Sequence, residues 1–304
     1  MQLGYEKCQL CPRMCQVNRE MGQMGVCKVS STLKVARAAL HFWEEPCISG
    51  TKGSGAVFFS GCSLHCVFCQ NQEIAQGVSG KEITRERLAE IFMELQENGA
   101  NNINLVTPGQ YVPHIVWAVE RAREQGLKLP IVYNTSSYEK VETLKQLEGI
   151  VDVYLPDFKY WSRELAHKYS NAPDYPEVAK QAIAEMVRQQ PKVQFVYSKE
   201  QDAELIQKGV IVRQLLLPGQ LEDAKKIITY LHETYGEQIY LSLMSQYTPL
   251  KHVEKYPELN CKVDKQIYDQ YVDYAIAIGV ENGYIQEEDV AEESFIPAFD
   301  GEGV

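Results

Sequence analysis

The chain is poor in positive charge. Its 304 residues carry 30 Lys and Arg against 41 Asp and Glu, a net charge of −11. That balance argues against an extended nucleic-acid interface, which needs a basic footprint. The cations are also uneven: Arg13, Arg19, Lys28, Lys34 and Arg37 make the N-terminus more basic than the rest. Long apolar runs are missing. Nothing approaches the ~20 residues of a membrane span, and residues 1–7 have no apolar secretory core. The expectation is a cytoplasmic protein, where thiols stay reduced and clustered cysteines read as metal ligands rather than disulfides. The glycine-rich connector, residues 44–55, lacks the Walker phosphate-loop pattern. Its Cys47 reads as a packed thiol. The single histidines His114 and His252 read as packing or solvated residues.

What the chain has is cysteine. The nine stand at 8, 11, 15, 27, 47, 62, 66, 69 and 261, and seven of them fall into two tight clusters. Gly61–Asn71 reads Gly-Cys-Ser-Leu-His-Cys-Val-Phe-Cys-Gln-Asn, with Cys62, Cys66 and Cys69 at C-x3-C-x2-C spacing. The preceding Ala56–Phe59 is apolar and favours strand. The pattern is a buried strand, a glycine turn, and a loop that presents three thiolates to one small inorganic body. A [4Fe–4S] cluster takes four thiolates, so three would leave one iron open. Two other readings exist. His65 could complete a Cys3His zinc site, although adjacent residues rarely both reach one tetrahedral centre. Three buried free cysteines would pack as small hydrophobes.

This spacing, with Phe68 before the last cysteine, resembles the radical S-adenosylmethionine (SAM) superfamily. Cys69-Gln70-Asn71 looks like the Cys-x-Asn of glycyl radical enzyme activases, the pyruvate formate-lyase activating enzyme among them. The resemblance implies a [4Fe–4S] cluster on Cys62, Cys66 and Cys69, with SAM chelating the open iron. Reductive cleavage would yield a 5′-deoxyadenosyl radical that takes hydrogen from a substrate. A flavodoxin- or ferredoxin-like protein would donate the electron. The substrate could be a glycine of a partner glycyl radical enzyme. A small molecule or peptide is the alternative substrate, and an iron–sulfur or zinc electron carrier or scaffold without SAM cleavage is the alternative class.

Cys8, Cys11, Cys15 and Cys27 form a loop-rich knuckle broken by Pro12, Gly22 and Gly25. Four thiolates fit tetrahedral zinc or a closed iron–sulfur cluster equally well by count. The loop length between Cys15 and Cys27 tilts the reading to zinc. Beyond the knuckle, strands alternate with helices, which implies a parallel sheet. Strands are expected at 56–59, 103–106, 131–133, 151–155, 210–217 and 239–243, with another at 193–197. Helices are expected around 88–95, 112–119, 138–147, 178–187, 221–235 and 265–278. Six principal strands match the partial (β/α)6 barrel that the resemblance implies. The expected division is an extension and connector over 1–50 and a barrel with its tail over 51–304. The apolar tail 294–299 is expected to dock on the barrel.

In such barrels the site lies at the C-terminal ends of the strands. Those ends carry Thr107 and Gly109, Asn134 and Thr135, and Asp157 and Lys159. The resemblance implies that these residues hold SAM. The family's Gly-Gly-Glu is absent after the second strand, where only Gly109 stands. Arg213 sits inside an apolar strand and needs a partner. The SAM carboxylate or ribose is one choice, and Asp157 is the structural alternative. Tyr247 is expected at the mouth. No residue is assigned as catalytic.

Overall fold

The structure, a computed structural model, describes residues 4–286 and 297–304. In chain order the strands and helices are β1 (Leu33–His41), α1 (Pro46–Ser49), β2 (Ser54–Phe59), α2 (Gln72–Ala75), β3 (Lys81–Ile83), α3 (Arg85–Glu97), β4 (Ile103–Val106) and α4 (Val112–Glu124). There follow β5 (Ile131–Thr135), α5 (Val141–Leu144), β6 (Val153–Pro156), α6 (Arg163–Ser170), α7 (Tyr175–Gln189), β7 (Gln194–Ser198), β8 (Ala203–Leu215), α8 (Leu221–Tyr235), β9 (Tyr240–Met244), α9 (Lys265–Ala277) and β10 (Gly283–Ile285).

The sheet runs β10-β9-β8-β6-β5-β4-β2-β1-β3, and its ends do not pair among the described residues. It is therefore an open barrel. Strands β2, β4, β5, β6, β8 and β9 are parallel neighbours and correspond to the six expected strands. Both faces of such strands are covered, so they read as apolar runs. All six residues of β2 are buried. One face packs on the helices through Val57 and Phe59. The other turns inward through Ala56 and Phe58. Each fully buried Phe or Leu side chain contributes about 1.5–3 kcal/mol.

Several elements depart from expectation. β1 joins antiparallel to β2, so the sheet draws its first strand from ahead of residue 51. β10 adds a seventh parallel strand beside β9. β7 forms an antiparallel hairpin with β8 and does not enter the parallel row. The helix expected over 138–147 shrinks to α5 and one 3-10 turn. Ser137 adopts a left-handed φ of 61°. Tyr138 and Glu139 are tied to Asp174 and Thr135. Those bonds pull the would-be first turn out of helical geometry.

Helix α1 plugs the bottom of the barrel. Cys47 and Ile48 pack on Val132, Val153, Leu155, Ile206 and Ile211. Burial pushes the Cys47 thiol up to about 12, as a packed cysteine requires. The described tail residues return to the free edge of β1. Gly301 N donates to Ala36 O and Ala38 N to Glu302 O. Phe299 meets Phe58 edge-on at 5.6 Å, so this end of the tail docks as expected. Ser294, Phe295 and Ile296 lie outside the described residues. Among the described residues, no helix is long and apolar enough to cross a membrane.

Candidate active site

Strand β2 runs into Ser60 and Gly61, and the chain then turns into the cysteine loop. Gly61 holds a left-handed φ of 88°. An added Cβ there would lie 2.7 Å from Cys27 O. Only glycine fits this turn without strain. His65 also sits left-handed, at φ 54°, between Leu64 and Cys66. Local strain of this kind accumulates where a loop must present ligands. Cys69 N closes the turn on Cys66 O at 3.1 Å. Phe68 anchors the loop by edge contacts to Tyr160, Tyr169 and Tyr247.

The His65 ring cannot serve as a zinc ligand in this arrangement. Its Nε2 lies 2.7 Å from Val26 O, and its Nδ1 faces Gln76 Nε2 at 3.4 Å. Three cysteines remain, without a fourth protein ligand. Among the described residues, no three His, Cys, Asp or Glu side chains stand close enough to hold a single ion. Three thiolates on one loop, with His65 engaged elsewhere, fit a [4Fe–4S] cluster with one open iron. Burial pushes the Cys62 thiol up and the Cys69 thiol up to about 12. The thiolates therefore need a cationic partner, which a bound metal provides. Lys159 opposes that burial at both cysteines and also acts on Cys66.

Lys159 belongs to a buried charge network at the strand ends. Its Nζ donates to Asp157 Oδ2 at 2.7 Å. Arg213 Nε donates to Asp157 Oδ1 at 2.8 Å, Nη1 to Glu44 Oε2 at 3.0 Å, and Nη2 to Asn134 Oδ1 at 2.7 Å. Three of the five guanidinium N–H groups are thus taken. Burial alone would raise the Asp157 carboxyl, but Arg213 and Lys159 outweigh it and hold it below the usual range. Glu45, beside Glu44, is buried with Oε2 unpartnered, and burial raises its carboxyl.

The sequence-expected residues divide into two groups. Asn134, Asp157, Lys159 and Arg213 meet in this network. Thr107 borders it, since its N–H donates to Asn134 O at 2.9 Å. Its φ of 56° is unusual for a β-branched residue. Gln110 ties the turn down, donating to Ser60 O, Gly61 O and Thr107 O. Gly109 and Thr135 instead meet at Glu139. A Cβ on Gly109 would lie 2.6 Å from Glu139 Oε1, and Thr135 Oγ1 donates to the same oxygen at 2.7 Å. Glu139 Oε2 is buried and unpartnered. Burial raises this carboxyl to about 7, against the hydrogen bonds from Thr135 and Tyr133. Glu44 and Glu139 were not singled out in the sequence, where neither belongs to a motif.

Tyr247 does not line the mouth: it is buried against Phe68, and its hydroxyl donates to Leu259 O. His114 packs on Tyr5 and contacts Ser31 O, as a core histidine does. His252 lies beside the backbone of Cys69, with burial lowering its imidazole and Nε2 left unpartnered.

The chain is 26% identical over 279 residues to an uncharacterized protein of Methanocaldococcus jannaschii, MJ0674, covering 89% of this chain and 75% of that one. The crystal structure of methylornithine synthase (PylB) matches at a TM-score of 0.51 and 14% identity, over 79% of this chain and 66% of that one. Streptococcus suis SuiB bound to SAM matches at a TM-score of 0.48 and 15% identity, over 74% of this chain. The match spans about half of SuiB, 48%. The family model described as the radical SAM superfamily matches residues 56–205. The open parallel barrel of this chain thus carries a radical SAM domain, with the three-cysteine loop at the end of its first parallel strand.

Proposed function

We propose that this chain is a SAM-dependent radical enzyme that takes hydrogen from a glycine of a partner glycyl radical enzyme. When bound at Cys62, Cys66 and Cys69, a [4Fe–4S] cluster with SAM supplies the 5′-deoxyadenosyl radical for that abstraction. The observation that carries the reading is that Lys159 links two features. Its ammonium acts on the three cysteines and is fixed by Asp157, which Arg213 holds in turn. Asp157 and Arg213 orient the rim through bonds made before any ligand arrives, which is the preorganisation a radical site requires. Thr107, Asn134, Asp157, Lys159 and Arg213 are the residues proposed to bind SAM. Gly109 and Thr135 support them through Glu139. The glycine substrate rests on Cys69-Gln70-Asn71, where Asn71 opens helix α2 and Gln70 Nε2 reaches Gln246 O across the mouth. The electron donor in this reading is a flavodoxin- or ferredoxin-like protein.

The test incubates reduced, anaerobic protein with SAM and candidate glycyl radical enzymes. A glycyl radical signal in electron paramagnetic resonance is the expected result. SAM cleavage without transfer to any glycine-bearing protein would overturn the activase reading in favour of a small molecule or peptide.

A further inference from the structure

The N-terminal loop builds a second cage. Cys8, Cys11, Cys15 and Cys27 line one cavity together with Arg19, Gly25, Ser63 and Gln110. The backbone is shaped for this: Met14, Gln16 and Lys28, each next to or one residue from a cage cysteine, adopt left-handed φ values of 42°, 57° and 63°. Gly25 is tight against the cage, since a Cβ there would lie 2.9 Å from Cys15 Sγ. Val26 N points at the same sulfur, at 3.3 Å.

Arg19 gives the independent observation. Its side chain is almost completely buried, at 1% exposure. It donates to the carbonyls of Gln110, Val29 and Ser30 and lies over the rings of Tyr5 and Tyr111. No carboxylate pairs with it among the described residues. A buried guanidinium without a counter-anion is costly. The anionic candidates beside it are the cage sulfurs, with Cys8 Sγ 3.7 Å from Nη1. Four metal-bound thiolates would supply the missing negative charge.

All four cysteines face one cavity, and Ser63, next to Cys62, lines the same cavity. The cage therefore abuts the three-cysteine loop, which on the proposed function holds a redox cluster. Zinc has no redox chemistry, whereas a closed iron–sulfur cluster can pass an electron to its neighbour. From this geometry we infer that Cys8, Cys11, Cys15 and Cys27 bind a second iron–sulfur cluster of the [4Fe–4S] class, with Arg19 as its buried counter-charge. The zinc staple favoured by loop length alone gives way to this reading. With four protein ligands the second cluster is closed and does not take SAM. Arg13 Nε donates to Ser63 O at 2.9 Å across the same contact.

The test uses the full chain with Cys62, Cys66 and Cys69 all replaced by Ala, reconstituted with iron and sulfide and purified without oxygen. It should retain about four iron and four sulfide per chain and give a reduced-cluster resonance that ignores SAM. About one zinc with no iron, or no metal at all, would overturn the inference. Should that variant fail to fold, the parent chain serves, with roughly eight iron expected and roughly four contradicting the second cluster. The cage count is independent of SAM cleavage, so the proposed function and this inference can fail separately.

Discussion

Replacing Arg213 with Met removes the cation at the centre of the buried network while keeping most of its apolar volume. The guanidinium has an exposed fraction of 12%, and its partners Glu44 and Asp157 are at 9% and 19%. Removing one member of such a buried set leaves the others unpaired and costs about 3–5 kcal/mol. For a chain of this size that corresponds to a fall in Tm of roughly 5–8 °C. The penalty depends on pH, with a sign fixed by Asp157. In the parent chain the Asp157 carboxyl is depressed, so its stabilisation is present above the unfolded value of ~3.9 and is lost as pH falls through the folded one. In the variant only Lys159 still opposes burial, so the Asp157 carboxyl rises relative to the parent and the protonated acid is favoured at higher pH. The Tm gap between parent and variant should therefore be widest near neutrality and narrow as pH approaches 4. Anaerobic differential scanning calorimetry from pH 4 to 8 measures it. A loss below about 0.5 kcal/mol, the level of an ordinary surface change, or a gap that does not move with pH, would refute the network.

Glu139→Gln should flatten a different pH dependence. The Glu139 carboxyl is raised to about 7 by burial, so the parent loses stability as pH rises from ~4.3 through 7, by about 3–4 kcal/mol at most. Thermal unfolding at pH 5 and pH 8 should show that fall in the parent and not in the variant. Gly61→Ala forces a left-handed Cβ against Cys27 O, at a conformational cost of about 1–2 kcal/mol before the clash is counted. It should lower both Tm and iron content, because the same contact joins the two cysteine loops. Arg19→Gln should reduce the iron retained by the N-terminal cage and leave Cys62, Cys66 and Cys69 loaded, as read by iron analysis in parallel with the SAM-responsive resonance.

Short-range features were legible in the sequence. Cys62, Cys66 and Cys69 stand within eight positions, so the loop that carries them could be read locally. The six parallel strands show as apolar runs because both of their faces are covered. Strand β1 escaped notice because Lys34 and Arg37 interrupt its apolar residues; Arg37 faces the tail acids Asp300 and Glu302. The network partners were hidden for a different reason. Glu44 meets Arg213 across 169 positions and Asn134 across 90, so no local pattern marks it. Asp157 and Lys159 were visible as strand-end residues. That Asp157 joins Lys159 to Arg213 depended on the register that aligns β6 with β8. Glu139 was concealed by an expected helix that the Thr135 and Tyr133 hydrogen bonds prevent from starting.

In the proposed function Cys62, Cys66 and Cys69 support radical cleavage of SAM. That cleavage is tested by 5′-deoxyadenosine formation by anaerobically reconstituted protein given SAM and a strong one-electron reductant, beside a Cys66→Ala variant. Product is expected from the parent and none above background from the variant. Equal product from both, or none from a parent that carries its full iron, would contradict it.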